Sequence, residues 1–286
     1  MNILKKYGKP LTRRKFMKII VKKITGSNIG VQLVCHENLS SLAELAHEIL
    51  SNVNEKGLVL VKNLSLTRDN FKELVNLLGT TTENKYLSGS SELLDLNSDP
   101  DPEKSVTGSV ALPLHTDGLL VRTRPKYTIL YCNEFNQDEG YGETEICGQK
   151  LAFENMPKHL KEMFQKDWEY QAKDMSHFQL LADEWLSISP FIKNNDGTTS
   201  MNLALPFDSK EKSPAWSVRL SGKDEQSSRV YLLELDQFLK NCEAFYSHRW
   251  SPSDLLIINN YKVLHGRNEV TKNGIRHLFR GQINEH

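Results

Sequence analysis

Three residues of this sequence carry side chains that could bind one transition-metal ion together. In Leu114–Gly118, His115 and Asp117 stand two residues apart, so on an extended chain both side chains point to the same face. His265 follows an apolar strand and precedes Gly266, a residue that permits close backbone approach. Two histidines and one carboxylate leave three positions of an octahedron open, which suits Fe(II) with bidentate 2-oxoglutarate and O₂. A zinc site would more often contain thiolates or a third histidine.

Two arginines near the C-terminal end strengthen this interpretation. Arg276 lies eleven residues after His265, and Arg280 lies four residues further on. If residues 276–282 form a strand, both side chains lie on one face. A buried guanidinium is costly unless it meets a carboxylate, which it binds through two hydrogen bonds. We expect Arg276 to bind the distal carboxylate of 2-oxoglutarate, and Arg280 either to bind a substrate carboxylate or to be structural.

The elements that must position these residues are predicted from hydrophobic spacing. Ser41 and Thr67 begin two helices, which end before Gly57 and Gly79. From about residue 106 the pattern changes to short strands, interrupted by two later helices, and residues 168–226 resemble a lid-like insert. The fold class indicated is mostly β with flanking helices, a sandwich or barrel within a single domain over residues 1–286. The predicted strands include residues 58–61, 127–132, 254–258 and 278–283, and the later helices lie near residues 157–165 and 229–241.

Composition narrows the classes of protein that fit. The chain has 286 residues, with 36 basic and 36 acidic side chains, so it offers no overall field for nucleic acid or an acidic membrane. Four scattered cysteines without a CxxC pair suit a reducing, cytoplasmic location. Nine Lys and Arg residues fall within the first 25 positions and predict a basic arm at about residues 1–20. Lys22 and Lys23 interrupt the apolar run that an export signal requires.

His115-Thr-Asp117, Gly142-Glu-Thr144, His265 and Arg276 together resemble the taurine dioxygenase/clavaminate synthase-like family of Fe(II)/2-oxoglutarate-dependent oxygenases. The resemblance implies a double-stranded β-helix, a distorted jelly roll with the metal at its mouth. It also implies that Thr144 contacts the 2-oxoglutarate carboxylate beside Arg276. Tyr141 stands where the family usually has a second glycine. Related halogenases replace the carboxylate ligand by a small residue, so the presence of Asp117 disfavours halogenation.

A narrower resemblance covers residues 245–282. The segment from Tyr246 to Arg267 and the basic run Arg276-His-Leu-Phe-Arg280 are similar to the PvcB-like branch, which oxidises isonitrile derivatives of amino acids, notably of tyrosine. The function implied is oxidative desaturation or decarboxylation of such a small molecule in secondary-metabolite biosynthesis. Hydroxylation of a free or carrier-bound amino acid is the alternative within the class. A non-catalytic jelly-roll binding protein is the alternative outside it, and homo-oligomerisation stays open.

Overall fold

The computed structural model describes residues 19–35, 41–81, 93–97, 108–121, 124–173, 184–211 and 214–284. The basic arm predicted at about residues 1–20 therefore lies outside the described residues, apart from its last two positions. Within the described part of the chain, no helix combines the length and apolar character that a membrane crossing requires. In chain order the elements are β1 (Ile19–Lys23), β2 (Val31–Cys35), α1 (Leu42–Lys56), β3 (Leu58–Val61), α2 (Arg68–Leu78), β4 (Leu93–Asn97), β5 (Leu112–His115), β6 (Tyr127–Asn136), β7 (Thr144–Gly148), α3 (Gln149–Asn155), α4 (Lys158–Glu162), β8 (Trp168–Ala172), β9 (Leu186–Ile188), β10 (Phe191–Lys193), β11 (Thr199–Met201), β12 (Trp216–Leu220), α5 (Glu225–Asn241), β13 (Phe245–His248), β14 (Leu255–Asn259), β15 (Val263–Arg267) and β16 (Ile275–Ile283).

Two facing sheets form the centre of the fold. The major sheet has the strand order β1-β2-β3-β14-β6-β16-β4 among the described residues, and the minor sheet has the order β13-β7-β15-β5. Side chains on alternate positions of the central strands enter different cores, as the two-residue period of a strand requires. On β14, Leu255 and Ile257 face the helices, whereas Leu256 and Ile258 face the minor sheet. The two sheets therefore enclose an apolar interior, in agreement with the predicted jelly roll.

Helices α1 and α2 cover the outer face of the major sheet. The Ser41 hydroxyl accepts a hydrogen bond from the Ala43 amide, and the Thr67 hydroxyl accepts one from the Asn70 amide, so each helix begins at a capped end. Gly57 ends α1 with a left-handed backbone, at φ 81°. Both helix starts and both glycine stops lie where the sequence predicts them. The buried stripe of α2 also matches the prediction and consists of Phe71, Leu74, Val75 and Leu78.

A second layer covers the outer face of the minor sheet. Strands β12, β8 and β9 pair in that order, β10 and β11 form a hairpin, and α5 packs beside them. Most of this layer falls within residues 168–226, where the sequence analysis assigned no elements, although residues 174–183 and 212–213 are outside the described ranges. Its aromatic side chains Trp168 and Tyr170 are completely buried. The lid-like behaviour of this segment stays a prediction.

Candidate metal centre

The structure brings the three predicted metal ligands together at the edge of the interior. The Nε2 atom of His115 lies 3.6 Å from Oδ1 of Asp117, and the Nε2 atom of His265 lies 3.5 Å from Oδ2 of the same carboxylate. One candidate ligand atom from each residue falls within 4.8 Å of the other two. Among the residues that the structure describes, this is the cluster of three or more His, Cys, Asp or Glu side chains with the proximity that a metal ion needs.

Strand register explains why residues 150 positions apart meet here. His265 on β15 pairs directly with His115 on β5, and a bulge follows between His265 and Arg267. Gly266 makes the close strand approach possible, because a Cβ atom there would lie 2.7 Å from the Leu112 carbonyl oxygen. Strand β5 ends at His115, so Asp117 lies in the following turn rather than on an extended strand. Its carboxylate nevertheless reaches the two histidines.

Hydrogen bonds and burial favour the protonation states that metal binding requires. The Nδ1 atom of His115 lies 2.8 Å from the Pro113 carbonyl, which assigns the proton to Nδ1 and leaves the Nε2 lone pair free. Burial lowers the pKa of His265 and so favours its neutral form. Burial by itself would raise the pKa of Asp117, but its polar neighbours, first of all the charged Arg280 guanidinium, outweigh that effect and hold the pKa well below its usual range. Two neutral imidazoles and one anionic carboxylate are suitable ligands for a divalent first-row transition metal.

The backbone of Asp117 is held by a residue that the sequence analysis did not single out. Asn260 is completely buried, and its Oδ1 atom accepts a hydrogen bond of 2.8 Å from the Asp117 amide. Its Nδ2 group donates to the carbonyls of Asp117 and Pro125, each at 2.9 Å. One amide side chain thus fixes the turn that presents the carboxylate. Nothing in its local sequence distinguishes Asn260 from an ordinary turn residue.

Arg276 and Thr144 form a second polar group on the inner walls of the fold. The Nε atom of Arg276 donates to the Gly142 carbonyl at 2.9 Å, and its Nη2 atom contacts the Thr144 hydroxyl at 3.4 Å. Gly142 has a φ of 67°, and a Cβ atom there would lie 3.0 Å from the side chain of Gln137, so a glycine is needed at this turn. The residues predicted to bind one carboxylate are therefore neighbours in the structure.

The same region is strongly cationic. Burial, with the nearby charge of Arg267 in addition, lowers the pKa of Arg276 to about 9. Burial likewise lowers the pKa of Arg267 to about 10. Both guanidinium groups still carry their charge at neutral pH, in surroundings where a bound anion would be strongly attracted.

Trp250 and His248 support the Thr144 side of this group. The indole N–H of Trp250 donates to the Thr144 hydroxyl at 3.0 Å. The His248 ring packs edge-on against the Trp250 indole, with ring centroids 4.6 Å apart, and its Nε2 lies 3.4 Å from the buried carboxylate of Asp254. These residues belong to the segment from Tyr246 to Arg267, whose sequence does not by itself predict a contact with Thr144.

The pairing of β15 with β7 determines how far Thr144 lies from the metal-ligand cluster. His265 pairs with Ile146, and Arg267 pairs with Thr144, so both pairs face the same interior. One strand repeat of two residues corresponds to about 7 Å. Such a separation suits a short dicarboxylate that reaches both the metal cluster and the arginine.

Comparison with known proteins identifies the family. The model of the family described as "Taurine catabolism dioxygenase TauD, TfdA family" matches residues 20–282. The chain therefore belongs to the TauD/TfdA dioxygenase family. The predicted family, enzyme class and fold are confirmed, whereas the roles of individual side chains stay predictions.

Two relatives of the chain are enzymes named for isonitrile products or substrates. It is 24% identical over 267 residues to the 3-((Z)-2-isocyanoethenyl)-1H-indole synthase of Fischerella ambigua, covering 92% of this chain and 94% of the relative. It is 22% identical over 195 residues to the tyrosine isonitrile desaturase of Erwinia amylovora, covering 67% of this chain and 65% of that enzyme.

Solved structures show the same fold. The PvcB protein of Pseudomonas aeruginosa superposes with a TM-score of 0.70 at 18% identity, over 91% of this chain and 87% of that one. A second structure of PvcB, an Fe, alpha-ketoglutarate dependent oxygenase from an isonitrile synthetic pathway, gives a TM-score of 0.70 at 16% identity, over 98% of this chain and 96% of the other. The jelly roll inferred from the two facing sheets is thus the fold of these proteins.

Proposed function

We propose that this chain is an Fe(II)/2-oxoglutarate-dependent oxygenase that oxidises a small isonitrile derived from an amino acid, by desaturation or oxidative decarboxylation. The observation that carries the proposal is that Thr144, which contacts Arg276 of the major sheet, lies one strand repeat of about 7 Å from the level of His265 on the inner face of the minor sheet. Family membership and the names of the relatives support the cofactors and the chemistry.

His115, Asp117 and His265 would hold the iron, because their donor atoms converge and the surroundings favour ionised Asp117 and neutral His265, the forms that a metal binds. Iron together with 2-oxoglutarate and O₂ supplies the oxidising power that removes hydrogen from a substrate carbon. The protein's own residues hold the metal ligands in position. The Pro113 carbonyl orients the His115 ring, and Asn260 fixes the Asp117 backbone.

Arg276 and Thr144 would bind the far carboxylate of 2-oxoglutarate. The guanidinium group is buried and charged, so an anion that reaches it gains hydrogen bonds strengthened by low solvent exposure. The Thr144 hydroxyl already accepts from Trp250 and lies next to Arg276, which leaves its own proton available for a carboxylate oxygen.

Arg280 is the proposed contact for a substrate carboxylate. Its Nη2 atom donates to Asp117 at 2.9 Å, so the guanidinium group stands beside the metal cluster. A planar guanidinium has five N–H donors, and one contact with Asp117 leaves others for a second carboxylate. The proposed enzyme is a single-domain, cytoplasmic protein that acts on a small molecule. Residues 168–226 are proposed to form a lid over its site.

The proposal is tested first by anaerobic titration of the purified protein with Fe(II) and then 2-oxoglutarate, following the weak visible charge-transfer band of the ternary complex. We expect the band in the wild type, its loss in His265→Ala and a much higher cosubstrate requirement in Arg276→Ala. Absence of the band in the wild type at every cosubstrate concentration would show that the iron/2-oxoglutarate assignment is wrong.

The substrate class is tested separately. The loaded enzyme is incubated in air with the isonitrile acids derived from tyrosine and from tryptophan, and products are measured by mass spectrometry beside succinate. Desaturation removes two hydrogen atoms, oxidative decarboxylation also removes CO₂, and hydroxylation adds one oxygen atom. Turnover of the parent amino acids in place of the isonitriles would favour the hydroxylase alternative. Failure with every substrate, together with absence of the band, would favour a binding protein.

A further inference from the structure

Three side chains converge on one oxygen atom of Asp117. Its Oδ2 accepts hydrogen bonds from the Thr128 hydroxyl at 2.6 Å, from Arg280 Nη2 at 2.9 Å and from Gln282 Nε2 at 3.0 Å. Each oxygen also faces one imidazole, because Oδ1 lies 3.6 Å from His115 Nε2 and Oδ2 lies 3.5 Å from His265 Nε2. The three hydrogen bonds to Oδ2 are therefore what distinguishes the two oxygens of this carboxylate.

The donors come from the sheet opposite the histidines. Thr128 on β6 pairs directly with Gln282 on β16, and Arg280 lies two residues before Gln282 on the same face. His115 and His265 belong to the minor sheet. Asp117 consequently spans the gap, with its backbone tied to Asn260 and its Oδ2 tied to the major sheet.

Thr128 and Gln282 are polar residues on an inner face whose neighbouring positions are mostly apolar. The neighbouring inward positions on the same strands are Leu130, Cys132 and Leu278, which belong to the core between the sheets. Thr128 is 1% exposed and Gln282 is 6% exposed. Buried polar groups in such surroundings are costly unless they are hydrogen-bonded, and both side chains direct a donor at Asp117.

We propose that Thr128 and Gln282 are positioning residues that, with Arg280, hold Oδ2 of Asp117 away from the metal so that the carboxylate binds it through Oδ1 alone. This inference rests on the proposed function. A carboxylate that turned to use both oxygens would occupy one of the three metal positions that the cosubstrate and O₂ require. The three donors therefore keep the metal open while they fix the direction of its carboxylate ligand.

The test measures metal binding directly, without turnover. Co(II) is titrated into the apoprotein, and its visible d–d absorption reports both affinity and coordination. Thr128→Val keeps the shape and removes the donor, and Gln282→Met does the same at the second position. We expect each variant to bind Co(II) roughly 10- to 100-fold more weakly, as for other residues that orient metal ligands, with a changed absorption spectrum.

Thr128→Ser is the matched control, because it keeps the hydroxyl, and it should retain wild-type affinity and spectrum. Circular dichroism of each apoprotein checks folding; if Thr128→Val does not fold, Gln282→Met alone decides. Variants that bind Co(II) like the wild type, with an unchanged spectrum, would overturn the inference and leave the proposed function intact. A wild type that binds no Co(II) would overturn both.

Discussion

Replacement of Arg276 by Met should weaken cosubstrate binding and, unusually for a buried residue, stabilise the fold. Arg276 is 5% exposed, and burial lowers its pKa from the ordinary 12.5 to about 9. Each factor of ten in a protonation equilibrium corresponds to about 1.4 kcal/mol, so the charged form at neutral pH costs the folded state on the order of 5 kcal/mol. The cost applies fully below pH 9 and disappears as pH rises toward the unfolded-state pKa.

The substitution also removes hydrogen bonds. The Gly142 carbonyl loses its donor, which costs about 1–3 kcal/mol if the oxygen stays buried and unpaired. We therefore expect a net stabilisation of about 2–4 kcal/mol, or roughly 3–7 °C in the melting temperature of the apoprotein. Loss of the charged contacts to a carboxylate removes about 3 kcal/mol of binding, equivalent to ~100-fold weaker affinity for 2-oxoglutarate.

Differential scanning fluorimetry of the apoprotein and equilibrium dialysis of 2-oxoglutarate with the metal-loaded protein measure the two effects. Arg68→Met is the control, because Arg68 pairs with Asp95 at the surface, where an ion pair contributes little. The control should change neither quantity appreciably. A less stable Arg276→Met protein that binds 2-oxoglutarate normally would refute the reasoning, since Arg276 would then be a structural residue.

Three further predictions use other features of the site and the fold. Gly266→Ala places a Cβ atom 2.7 Å from a backbone carbonyl of β5 and should destabilise the protein by about 1–3 kcal/mol in chemical denaturation, with weaker metal binding; an unaffected variant would show that the strands can separate there. The hydrogen bond with Cys147 lowers the pKa of Cys242 to about 7, whereas burial raises the pKa of Cys132 to about 12. Iodoacetamide at about pH 7.5 should therefore label Cys242 before Cys132, as measured by peptide mapping, and preferential labelling of Cys132 would contradict this prediction. Because a bound carboxylate favours charged Arg276, the affinity for 2-oxoglutarate should be constant below about pH 9 and should fall by up to about tenfold per pH unit above it. An affinity that stays constant up to roughly pH 10.5 would show that Arg276 is not the anchor.

Residues that follow one another along a strand were predictable from the sequence. The two-residue period correctly placed Arg276 and Arg280 on one face of β16, and the glycine after His265 correctly indicated a close approach of backbone. The capping residues of α1 and α2 likewise indicated where each helix begins. These features depend on interactions within a few residues, which the order of side chains records directly.

Contacts between distant strands were not predictable in the same way. Asn260 and Gln282 meet Asp117 across 143 and 165 residues, and no periodicity marks either side chain as its partner. Strands β9, β10 and β11 have three residues each, too few for alternation to be recognised. Their place is determined by packing on the minor sheet, which depends on the rest of the fold.

The direct pairing of His115 with His265 makes metal binding sensitive to errors in folding. A slip of one residue between β15 and β5 would turn His265 to the opposite face and bring Leu264 or Gly266 inward in its place. Val263 and Leu264 are both buried, one on each face of β15, so apolar burial at these two positions discriminates only weakly against such a slip. A divalent ion present during refolding would select the native alignment by mass action, because only that alignment presents both imidazoles. The yield of metal-competent protein, with and without the ion during refolding, would thus report how often the chain pairs these strands correctly unaided.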